Sequence, residues 1–229
     1  MTGWPNLLLF LRHGEAEVNV LDAKAKRDGV TLKIAEKGAF DQSLLTNQGV
    51  KQSVETGIFL AQLFPRLDVI YCSPLQRTRE TADDVALALC YSVKIVLEDR
   101  LRELDFGDLD GLTKRGIEQY FPGEVQKRQE IGKYRYRFPG GESYEDVYQR
   151  VSAAVKDIRE RDAGKNVLLV GHEVVGMVLR KDIEGITEAE VEHIGRVDTL
   201  RNCGLIHYAF DPAKNSLALR EYNRILHGG

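Results

Sequence analysis

The stretch LLLFLRHGEAEVN, residues 7–19, passes from apolar residues to charged ones with no polar turn between them. Its apolar part, Leu7–Leu11, has the length and composition of a buried β-strand. Arg12 and His13 follow directly, before Gly14. A strand that ended only because the hydrophobic core ended could close with any polar turn. This junction therefore predicts an arginine and a histidine placed together at one edge of a sheet.

Length and composition limit the possible classes of protein. The chain has 229 residues, of which 43% are hydrophobic, and this predicts a single domain over residues 1–229 with a substantial core. A formal net charge of -3 argues against binding to nucleic acid or to an anionic membrane. No apolar segment is long enough to span a bilayer. An anion bound by this protein must therefore be held by a local cluster of basic groups.

The cysteines indicate a reducing environment. Three cysteines, Cys72, Cys90 and Cys203, are scattered along the chain without metal-ligand spacing. Cys72 and Cys203 lie in or beside apolar stretches, which is typical of buried reduced thiols. The apolar run near the N-terminus is too short for a signal peptide. We therefore expect a cytoplasmic protein without a cofactor or a metal site, and no feature of the sequence specifies an oligomeric state.

Strands and helices alternate along the chain. Four short runs rich in Leu, Val and Ile predict strands covered on both faces: Leu7–Leu11, Val69–Cys72, Lys94–Leu97 and Val167–Val170. Two further strands are expected in the tail, at 204–210 and 216–222. This order predicts an α/β fold, a three-layer sandwich in which helices cover both faces of a mostly parallel, mixed central sheet.

Three helices are predicted from apolar periodicity and N-terminal caps. The stripe of the first, which follows Thr46, comprises Val50, Val54, Ile58 and Leu63. Ser73 is the predicted N-cap of the second, with Pro74 at its first position. Ser143 is the predicted N-cap of the third, whose stripe comprises Tyr144, Val147, Val151, Ala154, Val155 and Ile158.

Two long connections separate the predicted elements. They span about residues 20–44 and 114–141. Long loops in a compact domain are often lids or binding loops, so both are candidates for a lid or a region that determines substrate specificity. The alternative is that each is an ordinary packed insertion.

Reactive side chains follow three of the predicted strands, in FLRHGE (10–15), YCSPLQRTRE (71–80) and LLVGHE (168–173). In open α/β sheets, ligands bind beyond the carboxyl ends of the strands. Singly, a histidine or arginine at such a place is more often structural. Together these junctions predict a cationic pocket formed by Arg12, His13, Arg77 and His172. Two forked guanidiniums suit a tetrahedral phosphate because each can donate parallel hydrogen bonds to its oxygens.

At this point the sequence resembles the histidine phosphatase superfamily, which includes cofactor-dependent phosphoglycerate mutases and fructose-2,6-bisphosphatases. Five segments carry the resemblance, in family order: RHGEAEVN, SPLQRTRETA, LRELDFGDLDG, GGESYEDVYQRV and VLLVGHE. The resemblance implies a phosphoglycerate mutase-like fold. It also implies that His13 is the nucleophile that becomes phosphohistidine. Phosphate contacts are implied for Arg12, Asn19, Arg77 and His172.

The resemblance further implies that Glu103 protonates the leaving oxygen. A neighbouring phosphate dianion would raise the pKa of its carboxyl, as this role requires. Glu98 and Asp105 lie close in sequence and could do the same task, and Glu103 could also be an exposed loop carboxylate. No metal is needed for such a reaction, because arginines supply the positive charge that stabilises the transition state.

Within the superfamily, KYRYRFPGGESYEDVYQRV looks most like the fructose-2,6-bisphosphatase pattern. That match implies that Lys133 and Tyr144 contact the second phosphate of the sugar. Three departures weaken it: Glu173 replaces a glutamine, Met177 an arginine and Lys114 a tyrosine. Lys114, Arg135 and Arg137 could compensate, or they could be ordinary surface charges.

The expected function is that of a metal-independent phosphatase. It would hydrolyse phosphomonoesters of small metabolites, such as sugar phosphates, through phosphorylated His13. Two alternatives remain open at this stage. One is a phosphoglycerate mutase that needs a bisphosphate primer, and the other is a non-catalytic module that binds a phosphorylated ligand.

Overall fold

A computed structural model describes residues 3–228 of the chain. Within that range six strands form one sheet: β1 (Leu7–Arg12), β2 (Val69–Cys72), β3 (Lys94–Leu97), β4 (Asn166–Gly171), β5 (Gly204–Asp211) and β6 (Ser216–Ile225). The helices of the same range are α1 (Glu17–Asp28), α2 (Asn47–Leu63), α3 (Gln76–Ala88), α4 (Lys114–Tyr120), α5 (Pro122–Ile131), α6 (Tyr144–Arg161), α7 (Glu173–Glu184) and α8 (Glu188–Val197). The predicted domain, 1–229, extends beyond the described residues at positions 1, 2 and 229.

The strand order of the sheet is β3-β2-β4-β1-β5-β6. β4 pairs in parallel with both β1 and β2, and β3 pairs in parallel with β2. The tail strands are antiparallel: β5 pairs with β1 and β6 pairs with β5. The predicted mixed, mostly parallel sheet is therefore confirmed.

Alternate residues of the central strands point to opposite faces, and each face has its own core. In β1, Leu8 and Phe10 belong to one core cluster, while Leu7, Leu9 and Leu11 belong to the other. α6 and α7 cover the first face, and α2 and α3 cover the second. The six apolar residues predicted for the stripe of α6 are all buried, which confirms that prediction. The result is the expected three-layer sandwich.

The predicted apolar stripe of α2 is wrong. Val50 and Ile58 are each exposed, and so is Leu63 at the end of the helix. The buried face of α2 consists instead mainly of small residues: Gly49, Ser53, Thr56, Gly57 and Leu60. A Cβ on Gly57 would lie 2.8 Å from the backbone oxygen of Val85 in α3. Close backbone contact between the two helices therefore selects small residues, which an apolar pattern does not reveal.

Two smaller predictions also need correction. β3 is an edge strand with its first and last residues exposed, so it is not covered on both faces. Ser73 does not cap the second helix, because α3 begins at Gln76 with Leu75 as its N-cap. The Ser73 hydroxyl has another partner, described below. A short extended segment between β2 and α3 thus replaces the predicted first turn.

The two insertions contain regular structure. Residues 20–44 include most of α1 and a short 3-10 helix, Ala39–Gln42. Residues 114–141 contain α4 and α5, which pack against each other. None of the helices in residues 3–228 is long and apolar enough to cross a membrane. Cys72 and Cys203 are buried and Cys90 is exposed, and all three are free thiols.

Buried and exposed leucines of the same helix allow a test of the packing. Leu60 of α2 is 2% exposed and Leu63 is 50% exposed. We expect Leu60→Ala to lower the free energy of unfolding by about 2–5 kcal/mol, because it leaves a cavity between α2 and the sheet. Leu63→Ala should change it by less than about 0.5 kcal/mol. Urea unfolding followed by circular dichroism measures both, and equal losses would contradict the assignment of the buried face.

Candidate active site

Three strands end side by side at one edge of the sheet. β4 lies between β1 and β2, with Arg12 paired with Gly171 and Cys72 paired with Val170. The residues that follow these strands therefore begin at the same level. This arrangement brings His13 and His172 together, although 158 residues separate them in the chain (172 − 13 − 1). Their ring centroids are 5.3 Å apart.

Arg77, in the first turn of α3, joins the two imidazoles. Its Nε donates a hydrogen bond to Nε2 of His13 at 3.2 Å, and its Nη2 donates one to Nδ1 of His172 at 3.2 Å. All three side chains are almost completely buried, with exposures of 2% for His13, 4% for Arg77 and 0% for His172. The predicted cluster of Arg77 and two histidines is therefore present in the structure.

The hydrogen bonds define the protonated nitrogen of His13. A guanidinium can only donate, so Nε2 of His13, which faces Arg77, carries a lone pair. Nδ1 of His13 lies 2.7 Å from the carbonyl oxygen of Gly14 and donates its proton to it. The neutral ring thus presents Nε2 as a potential nucleophile, with the other nitrogen held by a backbone carbonyl, as a histidine nucleophile needs.

Burial and positive charge keep both imidazoles neutral. Burial lowers the pKa of His13 well below its usual range, and the charges of Arg77 and Arg12 lower it further. Burial also lowers the pKa of His172, with Arg77 as the next cause. Both rings are therefore neutral at neutral pH.

The turn after His13 is held by close backbone packing. A Cβ on Gly14 would lie 2.6 Å from the carbonyl oxygen of Gly49, so only glycine fits. The Gly14 N–H donates to Oγ1 of Thr81 at 3.0 Å, and that hydroxyl donates to the carbonyl oxygen of Arg77 at 2.8 Å. One turn of α3 thus positions both Arg77 and the turn that follows His13.

Arg12 lies at the end of β1 with part of its guanidinium free. Nη1 donates to the carbonyl oxygen of Leu200 at 2.5 Å and lies 3.2 Å from Oε2 of Glu173. Nε is buried and has no hydrogen-bond partner within the described residues. A buried N–H without a partner is costly unless a ligand completes it. Arg12 therefore has a donor available for a bound oxygen.

Ser73 holds His172 from the other side. Its hydroxyl is fully buried and lies 2.9 Å from Nε2 of His172. With Nδ1 accepting from Arg77, Nε2 carries the proton and donates it to Ser73. A hydroxyl can also donate, so Ser73 can satisfy Nε2 in the other tautomer, in which Nδ1–H would face a bound anion.

Glu103 faces the cluster across a cleft of about 490 Å³, of which Arg77 and Glu103 are both lining residues. Glu103 is half-buried, and one of its oxygens accepts from the Leu104 N–H at 2.9 Å. Burial raises the pKa of Glu103, while the Leu104 N–H and the charge of Arg77 lower it in part. A carboxyl with a raised pKa in a cleft is suited to act as a general acid.

The alternatives to Glu103 are less suitable. Glu98 accepts two hydrogen bonds from the guanidinium of Arg100 and one from its backbone N–H, and these lower the pKa of the Glu98 carboxyl. A carboxyl with a lowered pKa is poorly suited to supply a proton. Asp105 is exposed, and its side chain accepts from the Gly107 N–H at 2.8 Å.

The remaining predicted contacts lie around the cluster. Asn19 accepts from the Ala16 N–H at 2.9 Å and from the side chain of Asn202 at 3.2 Å. Lys133 is half-buried, and its ammonium lies 5.2 Å from the ring centroid of the buried Tyr144. Lys133 forms no ion pair within the described residues. Its ammonium is therefore available to an anionic or carbonyl oxygen of a ligand.

The three basic residues that could compensate for the departures from the bisphosphatase pattern lie in surface ion pairs. Lys114 is 84% exposed and pairs with Glu118. Arg135 pairs with Glu188, and Arg137 pairs with Asp146. Each guanidinium or ammonium already has a carboxylate partner, so these charges do not complete the phosphate cluster. Met177, where the pattern has an arginine, is buried in the core.

The first insertion covers one side of the cleft. The carbonyl oxygen of Phe40 accepts from Nη1 of Arg77 at 2.6 Å. Asp41 forms an ion pair at 2.7 Å with Arg102, the residue that precedes Glu103 in the chain. Residues 20–44 therefore contact both the arginine of the cluster and the loop that carries the candidate acid.

Several residues of the site were not predicted. Thr81 and Ser73 both occur in the motif around Arg77, each four residues from it, and this spacing was a signal that could have found them. The carbonyl oxygens of Leu200 and Phe40 have no signal in the sequence, because a backbone oxygen is common to all residues. The contact of Glu173 with Arg12 also appears only in the folded chain.

A buried arginine, a half-buried arginine, two neutral imidazoles and a carboxyl of raised pKa define a class of site. Such a site is suited to bind a compact oxyanion and to present a histidine nitrogen to it, as phosphoryl transfer requires. No group of three or more His, Cys, Asp or Glu side chains within residues 3–228 is arranged to hold a metal ion.

Comparison with known proteins specifies the class. Residues 8–223 match the profile of the histidine phosphatase superfamily (branch 1). The chain therefore belongs to the histidine phosphatase superfamily, as its motifs predicted.

Individual relatives have several phosphatase activities. Phosphoserine phosphatase 1 of Hydrogenobacter thermophilus is 32% identical over 169 residues, which cover 73% of this chain and 71% of that protein. A 6-phosphofructo-2-kinase/fructose-2,6-bisphosphatase of Aquarana catesbeiana is 31% identical over 172 residues. That match covers 75% of this chain but only 31% of the relative. The alpha-ribazole phosphatase of Shigella flexneri has the same fold, with a TM-score of 0.74, 22% identity and coverage of 97% of this chain and 98% of that one.

The contact between Ser73 and His172 leads to a prediction. We expect Ser73→Ala to lower kcat about tenfold, because His172 loses the partner that orients its ring. The free energy of unfolding should fall by about 1 kcal/mol. Steady-state kinetics with p-nitrophenyl phosphate and urea unfolding measure the two effects.

A control separates activity from stability. Thr187 caps α8 by accepting from the Glu190 N–H. Thr187→Ala should cost a similar free energy of about 1 kcal/mol but leave kcat unchanged. A Ser73→Ala enzyme with wild-type kcat would show that His172 does not depend on this hydroxyl.

Proposed function

We propose that this protein is a metal-independent phosphatase that hydrolyses phosphomonoesters of small metabolites through a phosphohistidine intermediate on His13. The observation that carries the proposal is the pair of hydrogen bonds from Arg77 to Nε2 of His13 and Nδ1 of His172. The family and the relatives named as phosphatases support it. The chain spans less than a third of the bifunctional kinase–bisphosphatase relative, so the substrate of that protein is not transferred.

In the first step, Nε2 of His13 attacks phosphorus and the bond from phosphorus to the ester oxygen breaks. The hydrogen bond from Arg77 to Nε2 breaks, which frees the lone pair for attack. Arg77 then donates to the phosphoryl oxygens, and so does Nε of Arg12. Glu103 gives its proton to the leaving oxygen. The carbonyl of Gly14 stabilises the positive charge that develops on the His13 ring, since Nδ1–H remains directed at it.

In the second step, Glu103 is ionised and takes a proton from a water molecule. The resulting hydroxide attacks phosphorus, and the bond from phosphorus to Nε2 breaks. Inorganic phosphate leaves, His13 recovers its lone pair, and Glu103 is protonated again. The positive charge of the arginines balances the charge on the equatorial oxygens in both steps.

Other residues of the proposal bind substrate or enclose it. Asn19 supports the turn of the nucleophile and contacts phosphate, while Lys133 and Tyr144 contact the leaving alcohol. The insertions 20–44 and 114–141 form a lid or specificity region, which the contacts of Phe40 support for the first. A cytoplasmic location is consistent with the three free cysteines.

The proposed intermediate can be trapped. With a ³²P-labelled phosphomonoester, acid and base quenching should reveal a phosphoryl adduct that is labile in acid and stable in base. We expect His13→Ala to abolish the adduct and to lower turnover at least a thousandfold, because the nucleophile is lost. Release of inorganic phosphate, rather than an isomer of the substrate, distinguishes a phosphatase from a mutase.

His193 provides the matched control. It is an exposed histidine of α8 and lies outside the cluster. His193→Ala should retain the adduct and the turnover. If turnover survived in His13→Ala, the proposed mechanism would be wrong, and a complete lack of hydrolysis in the wild type would favour a binding module.

The role of Glu103 predicts a dependence on the leaving group and on pH. Since its acid form is needed and its pKa is raised, kcat/KM should fall as pH rises through that pKa. It should also fall at low pH, once His13 is protonated below its lowered pKa. Glu103→Gln should lower kcat/KM, which reports the first step alone, by about 10²–10⁴ for an alkyl phosphate. The loss should be smaller for p-nitrophenyl phosphate, whose leaving group needs no proton.

Asp105→Asn serves as the control for this experiment, since it alters a neighbouring exposed carboxylate. It should preserve both the basic limb of the pH profile and the ratio of alkyl to aryl rates. Equal losses for both esters in Glu103→Gln would exclude Glu103 as the general acid.

A further inference from the structure

Glu173 is an acidic residue in contact with a site that binds an anion. It is the first residue of α7 and follows His172 directly. Its Oε2 lies 3.2 Å from Nη1 of Arg12, and its side chain is 28% exposed. Arg12 is not dependent on it, because the same Nη1 is already held by the carbonyl oxygen of Leu200. The carboxylate therefore places a negative charge beside the cationic cluster without being needed to orient the arginine.

The charge of Glu173 acts on the residues proposed to contact the leaving alcohol. It raises the pKa of Glu103 and of Tyr144, and it opposes the lowering of the pKa of Lys133 by burial. Glu173 thus contacts Arg12 directly and acts on the candidate acid through its charge. Since the acid must reach the ester oxygen, the organic part of a substrate lies within the field of Glu173.

We infer that Glu173 determines which phosphomonoesters the site accepts, by rejecting those that carry a second anionic group on the leaving alcohol. The accepted class is monoesters whose alcohol is neutral or carries an ammonium group. This inference rests on the proposed function. A carboxylate that faces a second phosphate or a carboxylate repels it, whereas hydroxyl and ammonium groups can donate to its oxygens.

Neighbouring charges do not remove this effect. Lys133 is the basic residue proposed to contact the leaving alcohol, and Arg128 and Arg196 lower its pKa while Glu173 and Glu192 raise it. Two arginines and two carboxylates thus oppose each other around one lysine. Removal of the Glu173 carboxylate makes the net charge around Lys133 more positive by one elementary charge, which favours anions.

An acidic residue in the first turn of a helix also has a simpler effect. It stabilises the helix because it faces the positive end of the helix dipole. That effect alters the free energy of unfolding but does not depend on the charge of the substrate. A comparison between substrates of different charge therefore separates the two roles.

A matched series of two-carbon esters tests the inference: O-phosphoethanolamine, 2-hydroxyethyl phosphate and phosphoglycolate, with p-nitrophenyl phosphate as the reference. The leaving alcohols carry a positive, a neutral and a negative group. For the wild type we expect kcat/KM to be lowest for phosphoglycolate. In Glu173→Gln, the ratio of phosphoglycolate to 2-hydroxyethyl phosphate should rise about tenfold, and the ratio for O-phosphoethanolamine should fall.

Glu160→Gln is the control: it removes one exposed charge at the far end of α6 and should leave both ratios unchanged. If Glu173→Gln does not fold, Glu173→Ser makes the same comparison. In the wild type, raising the salt concentration should also reduce the discrimination.

The inference is overturned if the ratios change by less than twofold, or if phosphoglycolate is the best substrate of the wild type, since Lys133 would then dominate. In both cases the hydrolysis of p-nitrophenyl phosphate would still support the proposed function. Absence of hydrolysis of every ester by the wild type would instead contradict the proposed function, and the inference with it.

Discussion

The guanidinium of Arg77 lies between two buried imidazoles and donates one hydrogen bond to each. This contact determines the protonation of the whole site. Because a guanidinium donates hydrogen bonds but cannot accept them, Nε2 of His13 and Nδ1 of His172 must each carry a lone pair. The proton of His13 is then on Nδ1, where the carbonyl of Gly14 accepts it. The tautomer of His13 and the neutral state of both rings therefore depend on a single side chain in the first turn of α3.

The sheet supplies the conditions for that contact. β4 lies between β1 and β2, so the residues after these three strands meet at one edge. The hydroxyl of Thr81, one turn after Arg77, accepts from the N–H of Gly14 and so joins α3 to the turn that follows His13. Burial adds to this effect, because the removal of water keeps the imidazoles neutral and strengthens the electric field of the arginines.

A carboxylate beside a phosphate site costs affinity for anions, so its presence calls for a reason. Glu173 contacts Arg12, and its charge raises the pKa of Glu103, the proposed acid. Relatives of this chain include enzymes named for phosphoserine and for fructose 2,6-bisphosphate, which differ in the charge of the leaving alcohol. Within one fold, a single charge beside the common phosphate cluster is a direct way to change which ester is accepted.

Much of the fold could be predicted from local patterns. The strands in the centre of the sheet appear as apolar runs, and the stripe of α6 is a clear 3.6-residue repeat whose six members are all buried. The predicted stripe of α2 was wrong because the buried face of this helix is mostly glycine, serine and threonine, with Gly57 against the backbone of α3, while Val50 and Ile58 are exposed. Backbone contact between helices is a property of the pair, and the pattern of one helix does not contain it.

The sequence by itself determined the family and the mixed sheet, and it identified Arg12, His13, Arg77 and His172 as members of one cluster, because each lies in a local motif at the end of a strand or the start of a helix. Only the tertiary structure decided which nitrogen of His13 is free and which partner Ser73 has. It also decided that Glu173 faces Arg12. These features depend on distances between segments far apart in the chain, and such distances exist only once the sheet has brought the segments together.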